Sequence, residues 1–372
     1  MMVRTVNVSF ASSFFLPRRN RHSERKMSAL TALCTRVTRV DVPYLSAFLH
    51  HYASLAVTHV VLLVNHAAVL HDDVFQRILE ERRAAFPRGI CVMDGSADEQ
   101  QPDVAWKRRM PSIQRHLRQL FADHPTDQWV LCLDTDEYLW LDDGRTVPEF
   151  LAFKRHHHFA AEDRYRTIVH FQFPWIFADC LRESVACPRA LLQQCPWYVQ
   201  RPRYHVKSMV RLDFLHCMAS PHHFATPRNT TFVLAGHIHR PAHTARPMYD
   251  EREWAVDYTT VPVVMHLQTV SVWNLVLKLA LHNLDGKSGA GERAAFWEAV
   301  RARDVDGLRA LTKVRLCCPN PSDSERIARR DLRTFPTFSH HVGFDGANEA
   351  ALRDEVFPNA TDRAFLARAL VS

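Results

Sequence analysis

From Ser28 onward, the chain alternates short, continuously apolar runs with segments whose apolar residues recur at every third or fourth position. Four apolar runs have the length of buried strands, at 29–34, 60–64, 90–93 and 129–133. Helical spacing between them predicts helices at 45–52, 74–79 and 113–121. This order is typical of βαβ units, so the pattern predicts an α/β fold with a mainly parallel, Rossmann-like central sheet flanked by helices.

The pattern changes after Pro148, where strand-like segments are separated by loops rich in Pro, Arg and His. These segments lie at 167–173, 207–212, 231–234 and 261–266. A helix is predicted at 271–283, followed by short helices from residue 291 onward. We therefore expect a mobile basic N-terminal arm at 1–27, one large domain at 28–285 whose halves are 28–147 and 148–285, and a small C-terminal helical extension at 286–372.

An acidic run, Asp134-Thr135-Asp136-Glu137, follows the apolar run 129–133 without interruption. Ligands of open α/β sheets bind beyond the carboxyl ends of the strands, and the acidic run lies at such an end. Mn²⁺ and Mg²⁺ take hard oxygen ligands, so Asp134 and Asp136 are candidate ligands of a divalent ion that bridges a diphosphate. The alternative is a solvated acidic turn, because Asp-x-Asp is common by chance.

The net charge, the length of the apolar stretches and the cysteines indicate which ligands and which cellular location to expect. There are 47 basic and 40 acidic residues, a formal net charge of +7, which suits an anionic ligand such as a nucleotide diphosphate. The basic residues are dispersed, so no nucleic-acid partner is expected. The apolar stretch at 6–16 is shorter than the ~20 residues of a membrane span, which predicts no transmembrane segment. The nine cysteines, an odd number without a Cys-x-x-Cys pair, favour reduced thiols and a cytoplasmic location; the alternative is a secreted protein in which Cys180, Cys187 and Cys195 supply a disulfide.

His222 and His223 are further candidates for the metal site, because one imidazole would complete the coordination of an ion held by Asp134 and Asp136. The alternative is a pair of surface or packing residues, since a chain with 23 histidines contains such pairs by chance. A nucleotide-binding P-loop is excluded at Gly286-Lys287-Ser288, because Leu281 stands where that motif requires its first glycine.

Five ordered parts of the sequence carry a family resemblance. They are Cys34-Thr35-Arg36, the run from Val60 to Asn65, the run from Trp129 to Tyr138, the run from Lys207 to Arg211, and the spaced residues His266, Ser271 and Lys278. In this order they resemble the GT-A fold glycosyltransferases of family 92 and their family-2-like relatives. Leu267 stands where that family has a tyrosine, and Val40-Asp41 stands near where it has Asn-Glu.

The resemblance implies a metal-dependent hexosyltransferase that uses a nucleotide-sugar donor, commonly UDP-linked, a Mn²⁺ or Mg²⁺ ion, and a glycan or glycoprotein acceptor. It implies a nucleotide-binding half at 28–147 and an acceptor-side half at 148–285. The residues that it assigns to the donor are Asp134, Asn65, Lys207, His266 and Lys278. The alternative interpretation is a catalytically silent GT-A-like module that binds glycans.

Transfer with inversion, which we expect here, needs a carboxylate that accepts the proton of the acceptor hydroxyl. Asp250, Glu251 and Glu253 are candidates for this base because they follow the metal strand in the acceptor-side half. The start of an acid-rich helix explains the same three residues equally well.

Overall fold

The computed structural model describes residues 29–98, 102–123, 127–141, 144–158, 167–178, 197–200, 203–220, 223–224, 230–234, 238–241, 248–250, 261–267, 271–281, 289–315, 324–327 and 346–371. The strands in this part of the chain, β1 to β15, are Leu30–Val37, His59–Val64, Ile90–Asp94, Gln128–Cys132, Glu137–Trp140, Ile168–Ala178, Trp197–Gln200, Arg203–Arg211, Met218–Ser220, His223–Phe224, Thr231–Leu234, Ile238–Pro241, Met248–Asp250, Val263–His266 and Ser324–Ile327. The α-helices, α1 to α10, are Val42–Ser54, Ala67–Leu70, Asp73–Arg83, Pro102–Leu120, Val147–Phe153, Val272–Leu281, Gly289–Ala302, Val305–Arg315, Gly346–Val356 and Ala360–Val371. The predicted N-terminal arm at 1–27 lies outside the described residues.

One large mixed sheet organises these elements. β4, β1, β2 and β3 are neighbours in this order and pair in parallel. β8 extends the sheet by pairing antiparallel with β4, and β6 pairs antiparallel with β8. β6 also pairs in parallel with β11 and with β14, and β14 pairs antiparallel with β5. The sheet is therefore parallel in its first half and mixed in its second.

Side chains of the central strands alternate between two hydrophobic clusters because successive residues of a strand point to opposite faces. Leu33 and Val37 of β1 join the cluster that α1 and α3 cover. Ala32 and Cys34 join the cluster that α4 covers on the other face. Both faces of β1 are thus buried, which explains why most of its residues are apolar.

The C-terminal helices α6 to α10 share a third hydrophobic cluster. The buried residues of α6 include Leu275, Val276 and Leu279, and the cluster that they form also contains Phe296 of α7 and Leu366 of α10. Helix α9 contacts both α1 and α6. The C-terminal helices therefore pack against the α/β part of the chain.

The predicted α/β class, the parallel central strands and the flanking and C-terminal helices are confirmed. The apolar runs at 29–34, 60–64, 90–93 and 129–133 form β1 to β4. The predicted helix at 271–283 is found as α6, at Val272–Leu281. The sheet is more mixed than predicted, because β8, β5 and β12 each run antiparallel to a neighbouring strand. None of the helices described is both long and apolar enough to cross a membrane.

Candidate functional site

The acidic run forms a tight turn between β4 and β5. The backbone N–H of Glu137 donates to the carbonyl oxygen of Asp134 at 3.1 Å, which closes the turn. The side chain of Glu137 folds back, and its Oε2 accepts a 2.8 Å hydrogen bond from the backbone N–H of Asp134. β1 and β4 both end at this edge of the sheet, so the turn projects beyond the carboxyl ends of parallel strands.

Lys207 lies beneath this turn. β8 runs antiparallel to β4 with Ser208 opposite Cys132, and Lys207 therefore lies beside the residue that follows β4. Its Nζ is 2.6 Å from Oδ2 of Asp134 and 3.1 Å from Oε2 of Glu137. None of the Lys207 side chain is exposed. This burial suits a residue that fixes the acidic turn, whereas the predicted contact with a substrate phosphate would require the ammonium to leave both carboxylates.

Asp134 is held in its charged form. Burial opposes its ionisation, but Lys207 and the guanidinium of Arg36, 3.6 Å from Oδ1, together hold the pKa of Asp134 well below its usual value. Burial also opposes the charge of Lys207, and the two carboxylates outweigh this effect and raise its pKa. These side chains therefore form an ion cluster where β1 and β4 end.

Asp136 has a separate set of partners. Nζ of Lys278, from α6, is 3.0 Å from Oδ2 of Asp136, and Nε2 of His266 is 3.5 Å from the same oxygen. Burial raises the pKa of Asp136, but these two partners outweigh it, so the net pKa is strongly lowered. The backbone N–H of Leu267 donates to the carbonyl oxygen of Asp136 at 2.8 Å, which joins the end of β14 to the turn.

Glu137 is the most deeply buried carboxylate of the run, with no exposed side-chain surface. Burial raises its pKa to about 7, although the ammonium of Lys207 acts in the opposite direction. Its Oε2 accepts the hydrogen bond from the backbone N–H of Asp134, whereas Oε1 has no hydrogen-bond partner among the described residues. A buried oxygen without a partner is rare and is available to a ligand.

Asp136, Glu137 and His266 form a group that fits a divalent ion. One ligand atom of each lies within 4.8 Å of the other two. Two carboxylates and one imidazole provide the donor types that Mn²⁺ accepts, and three protein ligands leave positions for water or phosphate. β14 positions the histidine, because His266 lies directly opposite Glu137 in the pairing of β14 with β5.

Asp41 supports the middle of the acidic run. Its Oδ1 accepts a 2.6 Å hydrogen bond from the hydroxyl of Thr135. Its Oδ2 accepts from the backbone N–H and the hydroxyl of Thr38, both at 2.7 Å. Burial raises the pKa of Asp41. The segment that follows β1 is therefore tied to the turn that follows β4.

The structure brings five of the predicted site residues together. Asp134, Asp136, Lys207, His266 and Lys278 form the connected site described above. Asn65 follows β2 at the same edge of the sheet; it is buried, its backbone N–H donates to Val37, and its Oδ1 has no partner among the described residues.

The remaining predicted residues are placed only by their strands or lie outside the described part of the chain. His223 begins the two-residue strand β10, and Asp250 ends β13, opposite Arg203 of β8. His222, Glu251 and Glu253 lie outside the described residues. His266 lies 3.5 Å from the carboxylate of Asp136. The resemblance had assigned this histidine to the binding of the nucleotide sugar.

Two residues of the site were not predicted to belong to it. The sequence indicated Arg36 only as part of the family resemblance, and it gave Asp41 no place in the candidate site. Their contacts with Asp134 and Thr135 join parts of the chain about a hundred residues apart. Arg36 lies next to the last residue of β1 and Asp41 lies just after this strand. That strand end was the signal that could have indicated both residues, because ligands bind beyond such ends.

The described site contains four carboxylates, Asp41, Asp134, Asp136 and Glu137, and three cations, Arg36, Lys207 and Lys278. This arrangement suits the binding of a metal ion together with an anionic group. No protein-family model matches the chain, and no curated protein is significantly similar to it in sequence. The function is therefore inferred from the chemistry of these residues.

Proposed function

We propose that the chain is a metal-dependent glycosyltransferase of the GT-A type, which transfers a hexose from a nucleotide-sugar donor to a glycan or glycoprotein acceptor. The observation that carries the proposal is the convergence of Asp136, Glu137 and His266 at the carboxyl edge of the parallel strands, with Lys278 beside them. The ordered resemblance to family 92 supports the same function, and it favours a UDP-linked donor.

The divalent ion would be held by Asp136, Glu137 and His266. Asp134 would add a further negative charge beside this ion site. A bound Mn²⁺ or Mg²⁺ supplies Lewis-acid stabilisation of the charge that develops on a departing nucleoside diphosphate. Lys278 and Arg36 are better suited than Lys207 to contact that diphosphate, because 13% and 20% of their side chains are exposed whereas Lys207 is fully buried. Lys207 instead holds Asp134 and Glu137 in their positions.

The order of strands supports this proposal. β3, β2, β1 and β4 form a parallel sheet whose carboxyl edge carries Asn65, Arg36 and the acidic turn. Ligands bind at this edge in open α/β sheets, and a nucleotide that lies along it would reach the metal ligands with its diphosphate.

Sugar release from a panel of UDP- and GDP-linked hexoses, with and without acceptor glycans, tests the proposal. The full chain is assayed with Mn²⁺, with Mg²⁺ and with EDTA. We expect turnover that requires the ion, and a loss of roughly 100-fold or more in Asp136→Asn, because a metal ligand supplies several kcal/mol of stabilisation in the transition state. Asp213→Asn is the matched control, since Asp213 is an exposed carboxylate that pairs with Arg118 at 3.6 Å. Equal activity of Asp136→Asn and wild type would refute the metal assignment.

A catalytically silent glycan-binding module is the second candidate. It is favoured by the ion pairs of Asp134 with Lys207 and of Asp136 with Lys278, because these pairs compensate both carboxylates without an added ion. This candidate predicts that glycan binding is insensitive to EDTA and that no nucleotide sugar is turned over. Binding of glycans on an array in the presence and absence of EDTA separates it from the transferase.

A further inference from the structure

Helix α9 makes polar contacts with elements close to the candidate site. Oε2 of Glu349 accepts hydrogen bonds from the hydroxyl of Tyr44, on α1, and from the hydroxyl of Ser271, which precedes α6, the latter at 2.5 Å. Nearly two turns further along α9, Glu355 pairs with Arg39 at 2.5 Å. The helix thus contacts both the segment after β1 and the start of α6.

Through Ser271, Glu349 fixes the start of the helix that carries Lys278. The hydroxyl of Ser271 accepts a 2.9 Å hydrogen bond from the backbone N–H of Asn274, which caps α6, while it donates to Glu349. Lys278 lies seven residues after Ser271, about two turns along the helix, and its Nζ reaches Asp136 at 3.0 Å. The cap, together with the buried apolar face of α6, therefore helps to position the ammonium of Lys278.

Through Tyr44, Glu349 also contacts the segment that supports the acidic run from the other side. Tyr44 follows Asp41 by three residues. The carboxylate of Asp41 accepts a 2.6 Å hydrogen bond from the hydroxyl of Thr135. Thr135 lies between Asp134 and Asp136. A single carboxylate thus connects to the acidic run by two routes, one through α6 and the other through the segment after β1.

We propose that Glu349 is a positioning residue, which sets the geometry of the acidic run and of Lys278 from the C-terminal part of the chain. It acts through Ser271 and Tyr44 rather than by bonding to the acidic run itself. Its effect on catalysis rests on the proposed transferase function, whereas its effect on the geometry of the acidic run does not. The C-terminal helices consequently belong to the machinery of the site.

Two substitutions of Glu349 separate positioning from simple stabilisation. Glu349→Ala removes both hydrogen bonds, whereas Glu349→Gln keeps a side-chain oxygen that accepts them. Asp354→Ala is the matched control on the same helix, because it removes pairs with Arg353 and Arg363 in which 49% of the Asp354 side chain is exposed. The measurements are backbone amide exchange of peptides that contain residues 133–138, Mn²⁺ affinity by calorimetry, and kcat and KM with the nucleotide sugar.

We expect Glu349→Ala to accelerate amide exchange at 133–138 and to weaken Mn²⁺ binding about tenfold, as removal of a residue that orients metal ligands does. Glu349→Gln is expected to keep amide exchange and Mn²⁺ affinity close to the wild-type values. Asp354→Ala is expected to change neither quantity. In the transferase assay, the loss in Glu349→Ala is expected mainly in kcat, with a smaller change in KM.

Unchanged exchange at 133–138 in Glu349→Ala would overturn the positioning role, whether or not the chain binds Mn²⁺. An equal loss in Glu349→Ala and Glu349→Gln would overturn the assignment to hydrogen bonding through Ser271 and Tyr44. Wild-type protein that binds no Mn²⁺ or turns over no nucleotide sugar would refute the proposed function, and the exchange measurement would still decide the role of Glu349.

Discussion

Lys207 places an ammonium group with no exposed surface between two carboxylates, Asp134 and Glu137. A charge in such a position is tolerated because its partners are within hydrogen-bond distance, and removal of one partner leaves the other charges buried without compensation. The same cluster keeps Asp134 ionised while burial raises the pKa of Glu137 to about 7. Two acids three residues apart therefore differ in their protonation near neutral pH.

Lys207→Met tests the structural role of this ammonium. Methionine keeps an unbranched chain of similar length but leaves Asp134 and Glu137 without their shared cation. We expect a loss of about 3–5 kcal/mol in the free energy of unfolding, as for other broken buried ion pairs. Urea denaturation measures the change, and Arg118→Met, which removes an exposed pair with Asp213, is expected to cost less than about 1 kcal/mol. Similar costs for the two variants would contradict the role of Lys207.

The pH dependence of stability tests the environment of Glu137. Its folded pKa is about 7 and its ordinary value is 4.5. Below about pH 4.5 the group is protonated in both states. As the pH rises toward 7, the unfolded chain releases this proton while the folded protein retains it, so the contribution of Glu137 to stability falls and then levels off above about pH 7.

Glu137→Gln removes this titration. Relative to wild type, the variant is expected to become more stable by about 2.5 kcal/mol between about pH 5 and pH 8, since each pKa unit corresponds to about 1.4 kcal/mol and the unfolded chain has already released most of this proton at pH 5. Urea denaturation of both proteins in EDTA at each pH gives the two free energies of unfolding. The prediction concerns how the difference between them changes with pH. Parallel pH profiles for the two proteins would show that the pKa of Glu137 is not raised.

At the scale of elements, short strands and helix ends determine which side chains meet. β5 and β14 have only four residues each, yet their pairing places His266 opposite Glu137. Helix α5 packs Phe150 against Phe171 of β6, with ring centroids 5.4 Å apart, which is a contact within the hydrophobic core. We therefore expect β5 and β14 to affect the candidate site, and α5 to affect only the stability of the core.

Thr146→Ala tests this distinction at the start of α5. The hydroxyl of Thr146 accepts from the backbone N–H of Glu149, and the side chain of Glu149 accepts from the backbone N–H of Thr146 at 2.9 Å. Loss of this capping box is expected to cost about 1 kcal/mol in the free energy of unfolding and to leave Mn²⁺ affinity unchanged. Thr146→Ser retains the hydroxyl and is expected to remain close to wild type. A change in Mn²⁺ affinity would contradict the separation of α5 from the site.

At the scale of the whole molecule, the C-terminal helices are packed against the rest of the chain. Val40, which follows β1, belongs to the same hydrophobic cluster as Leu366 of α10. Hydrogen bonds and ion pairs from α9 to Tyr44 and Arg39 join the same parts of the chain. We expect the C-terminal helices and the α/β part to unfold together.

Leu366→Ala tests this cooperativity, because Leu366 is fully buried. The cavity is expected to cost about 2–5 kcal/mol. Circular dichroism of the helices and tryptophan fluorescence are expected to report one shared transition, displaced equally for both probes. Arg368→Ala, at an exposed position of α10, is the control and should change stability by less than about 0.5 kcal/mol. Two separate transitions, only one of which moves, would indicate an independent C-terminal unit.

The sequence by itself determined the parts of the molecule that depend on local patterns. The apolar runs that became β1 to β4, the helical spacing of α1, of α3 and of the last part of α4, and the acidic run at the end of β4 were all predictable. Each depends on residues that are near one another in the chain, because strand and helix periodicity repeats within a few positions. The position of the candidate site at a strand end followed from the same patterns.

Only the tertiary structure decided which distant side chains complete the site. Lys207 is 73 residues from Asp134 in the chain, and Lys278 is 142 residues from Asp136. Local patterns cannot choose between His266 and the pair at 222–223 as the histidine beside Asp136, because that choice depends on how β14 pairs with β5. The role of Lys207 was likewise undetermined, since burial between two carboxylates is a property of the packed sheet and not of the residues around Lys207 in the chain.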